Sequence, residues 1–249
     1  MNRVFKIFRM LGELNPLTTL IFALFHGLKI RNTVIFKTRI GNVAIRTCST
    51  DMNVLYGVLF TEYNKLDDLN TCGMHFIDLG AYTGLSTLAA RHYLNFSTFT
   101  CIEPSTENYS LLTRNLALNG LDTKIAKKAA LSSENGKTRI SSGGKNQWGF
   151  SEFRISEGSK SEECETISLP MLEDVLSREV FLKVDIEGSE VHLLSPINLN
   201  IVAKLKYIFI EFHDRITPGV EKEFMKSLEL THKCNKIGNE KYLFQRLAN

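Results

Sequence analysis

The stretch His75-Phe76-Ile77-Asp78-Leu79-Gly80-Ala81-Tyr82-Thr83-Gly84, followed by Phe99-Thr100-Cys101-Ile102-Glu103-Pro104, reads as two neighbouring strands of a nucleotide-binding sheet. The first apolar run ends in a carboxylate and enters a glycine turn. That turn opens a helical segment, Leu85 to Leu94, so backbone N–H groups at the helix start can face a ligand. The second run ends in an acid about 25 residues after Asp78, where such folds place the group that binds ribose hydroxyls. An ordinary strand-to-helix turn would need all these elements to coincide by chance.

What the turn lacks points to the ligand. A dinucleotide fingerprint needs a middle glycine so that the backbone can approach a pyrophosphate, and Tyr82 stands there. Asp78 also places a negative charge where a diphosphate would lie. S-adenosylmethionine carries no phosphate, has an ammonium group for a carboxylate, and has ribose hydroxyls that suit Glu103. It is the expected cofactor, with Asp78, Gly80, Ala81, Tyr82, Gly84, Glu103 and Pro104 as candidates to bind it.

Working outward, 249 residues hold one α/β domain with a full core and an N-terminal extension. A net charge of +3 is too small to argue for nucleic-acid binding, and no nucleic-acid partner is expected. Cys48, Cys72, Cys101, Cys164 and Cys234 are odd in number and widely spaced, which implies neither a zinc site nor a disulfide framework. A reducing cytoplasm is the expected compartment. Arg3, Lys6 and Arg9 precede an apolar run, Leu17 to Leu28, that is shorter than the roughly 20 residues of a membrane span. No small-x-small cleavage site follows it. Its reading is a helix packed on the domain, or one lying at an anionic surface on the inner membrane face, with peripheral contact through residues 1–31.

The segments are therefore residues 1–33, a helical extension; 34–70, a hairpin and a helix capped by Asp51; and 71–249, the cofactor-binding domain. Within the last, strands over 74–78, 98–103, 124–130, 180–185 and 207–212 alternate with helices over 85–94, 106–119, 171–177 and 220–228. Two strands joined by Gly238-Asn239 end the chain. This alternation predicts an α/β fold with a parallel sheet and helices on both faces. Residues 133–160, rich in Ser, Gly and charge, are expected to form a hairpin or mobile loop, with Trp148 pinning it or closing over ligand. Lys183, Asp185 and Glu187 recur at period two, and Glu211 and His213 repeat the pattern, so these strand ends should converge on one crevice.

With these motifs the chain resembles the FkbM family of S-adenosylmethionine-dependent methyltransferases over roughly residues 34–213. The resemblance rests on Asp51, Glu62-Tyr63, the Asp78–Gly84 turn, Glu103-Pro104, Asn108, Asn115-Leu116, Ala130-Leu131 and Glu211-Phe212-His213. Its most specific part is Lys183-Val184-Asp185-Ile186-Glu187-Gly188-Ser189-Glu190. Tyr82 departs from the asparagine common in the family's turn. The resemblance implies a Rossmann-like methyltransferase fold, a mostly parallel seven-stranded sheet with an antiparallel last strand. It also implies O-methylation of a small-molecule or glycan acceptor, and adds Ala130 and Leu131 to the cofactor-binding set. An alcohol needs a base or a metal beside it. His213, held by Glu211 or Asp185, is the expected base, and Asp185 the contact to the cofactor's amine or the acceptor hydroxyl. Lys183 is expected to neutralise Asp185 or Glu211. The other use of the cluster is a divalent cation bound by Asp185, Glu187, Glu211 and His213. A non-catalytic scaffold with this fold, or a methyltransferase for RNA or protein, would be the competing readings.

Overall fold

The computed structural model describes residues 12–142, 150–151 and 161–247, in which Pro16–Gly27 forms helix α1. Asn15 caps it by accepting hydrogen bonds from the Leu17 and Thr18 amides. A hairpin of β1 (Thr33–Thr38) and β2 (Gly41–Arg46) follows, then α2 (Asp51–Phe60). Thr50, not Asp51, occupies the cap position of α2, because the buried Asp51 carboxylate is taken by Arg46.

The domain proper alternates as expected: β3 (His75–Leu79), α3 (Leu85–Tyr93), β4 (Thr98–Ile102) and α4 (Thr106–Leu118). The strand expected over 124–130 is divided. β5 (Ala126–Lys127) stays beside β4, and β6 (Ala129–Leu131) leaves for a second sheet with β7 (Gly136–Ser142), β8 (Phe150–Ser151) and β9 (Ser161–Ile167). Within the segment expected as a hairpin or loop, β7 and β8 pair antiparallel, while Trp148 lies outside the described residues. After α5 (Glu173–Leu176) come β10 (Val180–Val184), α6 (Pro196–Val202), β11 (Tyr207–Glu211), α7 (Val220–Leu228), β12 (His232–Lys236) and β13 (Lys241–Arg246).

The main sheet has seven strands in the order β12-β13-β11-β10-β3-β4-β5. β3, β4, β5, β10 and β11 are mutually parallel, and β13 runs against both its neighbours. Parallel strands covered on both faces are apolar throughout, and alternate residues feed opposite cores. Phe76, Phe181 and Phe209 join α2, α3 and the β1–β2 hairpin, whereas Ile77, Leu182 and Ile208 join α6 and α7. Leu14, Phe22 and Phe36 belong to the first of these cores, so the N-terminal segment shares it with the sheet. The chain order reverses between β3 and β10, the place where open α/β sheets leave a crevice at their C-terminal edge.

Candidate active site

Strand register builds the floor of that crevice. β10 lies beside β3 with Lys183 opposite Asp78, on the face that carries Phe76 and Phe181. Lys183 Nζ is 3.0 Å from Asp78 Oδ1 and 3.9 Å from Asp185 Oδ2, and it donates to the Gly80 carbonyl at 2.8 Å. Thr87 donates to the other Asp78 oxygen at 2.8 Å. Burial disfavours the Lys183 ammonium, but Asp78 and Asp185 outweigh it and hold its pKa above the ordinary value. Gly80 joins this floor to the next strand end. Its φ is +74°, and a Cβ there would fall 1.8 Å from the Asp185 carbonyl oxygen.

Above the floor lies a cavity of about 330 Å³. Gly80, Ala81, Tyr82, Glu103 and Pro104 line one end, with Ala130 and Leu131 beside them. Glu103 accepts from the Tyr82 amide at 2.8 Å, the Ser105 amide at 3.0 Å and Asn108 Nδ2 at 3.3 Å. Burial nevertheless prevails over these bonds and raises its pKa to about 7. The Tyr82 hydroxyl donates to Asp51, and the Arg46 guanidinium lies 5.3 Å from the ring centroid. Arg46 also reaches Glu107 at 3.1 Å and Asn108 at 3.0 Å. Arg46 of the hairpin and Asp51 of α2 thereby fix Tyr82 in the turn.

Asp185, Glu187, Glu211, Lys241 and Glu62 line the other end. In the antiparallel register of β11 and β13, Lys241 stands opposite Glu211, and its ammonium is 3.0 Å from Glu211 and 2.8 Å from Glu62. Behind them, His213 Nδ1 contacts Glu190 at 2.7 Å, and Nε2 is 3.7 Å from both Asp185 and Glu187. Burial pushes His213 down, but the bond to Glu190 and the three carboxylate charges raise it to about 9. Burial and the Asp185 charge raise Glu211. Burial works the same way on Asp185, but Lys183 and His213 bring it below its ordinary value. One ligand atom from each of Asp185, Glu211 and His213 lies within 4.8 Å of the others.

The family model of the methyltransferase FkbM domain matches residues 78–237. The chain belongs to this family. Among solved structures, it resembles the FkbM methyltransferase from Methylobacillus flagellatus at 13% identity and a TM-score of 0.44, over 70% of this chain and 43% of that one. The chain thus spans less than half the length of that protein. The N-terminal domain of human METTL16 in complex with SAH gives 11% identity and 0.37, over 73% and 65% of the two chains. The human methyltransferase 10 domain containing protein gives 11% and 0.38, over 78% and 79%. No curated protein matches significantly in sequence.

In this FkbM-family chain the candidate residues divide by position. Gly80, Ala81, Tyr82, Glu103 and Pro104 reach the cavity, as do Ala130, Leu131, Asp185, Glu187 and Glu211; Asp78, Gly84 and His213 are not among its lining residues. Asp78, a candidate cofactor contact, has its carboxylate fully buried against Lys183 and Thr87. Lys183 neutralises Asp78 first and Asp185 second, while Glu211 takes its counter-charge from Lys241. His213, the expected base, is 2% exposed and sits behind the cavity with Nδ1 on Glu190, a surrounding of carboxylates that raises its pKa to about 9. Lys241 was not a candidate from the sequence; it meets Glu211 through the antiparallel register of β11 and β13, which no local spacing signals.

Proposed function

We propose that the chain transfers a methyl group from S-adenosylmethionine to a hydroxyl of a sugar, glycolipid or other hydroxylated metabolite. The observation that carries this reading is the polarity of one cavity: Glu103 at one end, and Asp185 with Glu211 at the other. The cofactor would supply an electrophilic methyl group on a sulfonium. Glu103, already aimed by three donors, would accept from ribose hydroxyls, and Asp185 would meet the amine or the acceptor hydroxyl. Two neighbouring carboxylates with pKa values driven apart divide the labour of acid–base chemistry. Glu211, the one driven up, would take the acceptor's proton, with Lys241 holding it in place. His213 would hold Asp185 and Glu187 in position as a cation.

A divalent cation is the second reading of the cluster, since Asp185, Glu211 and His213 each bring one ligand atom within 4.8 Å of the others; it would have to compete with Lys241 for Glu211 and with Lys183 for Asp185.

Calorimetric titration with S-adenosylmethionine and, separately, NAD tests the cofactor. S-adenosylmethionine alone should bind, and Glu103→Gln should weaken it roughly tenfold. Its affinity should rise as pH climbs toward 7 and Glu103 ionises. Binding of NAD in its place would overturn the reading.

A further inference from the structure

Helix α1 has the wrong side facing water. It packs inward through the buried Phe22, whose ring lies 5.6 Å from that of Phe36, and through the partly buried Phe25. Its outward side carries Leu17, Leu20, Ile21, Leu24 and, one turn on, Leu28, which share one face at helical spacing. Leu17, Leu20, Leu24 and Leu28 are 66%, 67%, 55% and 62% exposed. Ile30 and Ile35 extend the apolar surface past the helix. Isolated exposed leucines are ordinary, but a contiguous stripe marks an interaction site. Helix α1 has no charged residue of its own, and among the described residues no helix is long and apolar enough to cross a membrane.

Charge identifies what covers the stripe. The first 50 residues hold eight Lys and Arg against a single acid, Glu13, which Arg39 pairs; the remaining 199 hold 22 against 26. From Leu14 to Thr50 there is no Asp or Glu at all, and exposed Lys29, Arg31 and Lys37 adjoin the apolar surface. An aliphatic stripe rimmed by one sign of charge suits an interface that is apolar inside and anionic at its surface. RNA would call for aromatic stacking platforms, which the outward face of α1 lacks. A second copy would bring like charges together around the seam.

We propose that α1 lies in the headgroup layer of an anionic lipid bilayer, its leucine stripe inserted and Lys29, Arg31 and Lys37 on acidic headgroups. The chain is thereby a peripheral membrane protein, held by the segment outside the region that matches the FkbM family.

Flotation of the full chain with phosphatidylcholine vesicles, with and without about 30% phosphatidylglycerol, tests this. Binding should require the anionic lipid and fall with salt. Leu20→Asp/Leu24→Asp and, separately, Lys29→Glu/Arg31→Glu should each weaken it by roughly tenfold or more. All four positions are exposed, so the melting transition should not move. The proposal is overturned if the full chain stays free of anionic vesicles, if it binds them equally after Leu20→Asp/Leu24→Asp, or if it is a dimer that this substitution dissociates.

Discussion

The crevice edge and helix α1 break the same rule in opposite directions. At the edge, Asp78, Lys183, Glu187, Glu190 and His213 are buried, though charged side chains ordinarily stay in water. On α1, leucines face water. The edge tolerates its charges because each meets an opposite one within a few ångströms, an arrangement that gains no stability over apolar packing yet is costly to break. Among the described residues, none covers the leucines of the helix. An inversion satisfied internally is equipment for chemistry; one left unsatisfied is equipment for a partner.

The contrast can be broken most severely at Lys183. Lys183→Met leaves Asp78 buried without its counter-charge and should cost about 3–5 kcal/mol in denaturant unfolding. The double variant with Asp78→Asn should recover much of that. A small loss in the single variant would mean that the edge is not electrostatically closed. Next comes the chemistry. Glu211→Gln should lower turnover about 10²–10⁴-fold while S-adenosylmethionine still binds, and exhaustive chelation should leave the wild-type rate unchanged. A rate that falls with the chelator would favour the cation.

The last test sharpens the comparison through pH. His213 in the folded chain titrates near 9, above the 6.5 of a free imidazole. Its contribution to stability is therefore complete below pH 6.5 and is lost as pH rises through 9, on the order of 3 kcal/mol in all. Melting temperatures across this window should decline for the wild type and flatten for His213→Gln.

The alternation of strands and helices, the glycine turn and the gathering of Glu103, Asp185 and Glu211 at one edge were legible because buried parallel strands read as unbroken apolar runs. A charge at the end of such a run has to lie at the opening. Partnerships across strands were not legible. Lys183 faces Asp78, and Lys241 faces Glu211, through register, which no local spacing encodes. Asp51 looked like a cap because only its neighbours in sequence were visible, while Arg46 claims it across the turn from the hairpin. The protonation of His213 was hidden for the same reason. It depends on Asp185, Glu187 and Glu190, which the fold brings from an earlier loop.

The placement of β13 has a consequence for the newborn chain. Lys241 lies on the strand that slides between β11 and β12, so it leaves the ribosome after every carboxylate it serves. During synthesis Glu62, Asp185 and Glu211 are already present without it. The site therefore stays electrically unfinished until the closing hairpin docks, and the step that completes the sheet is also the step that completes the site.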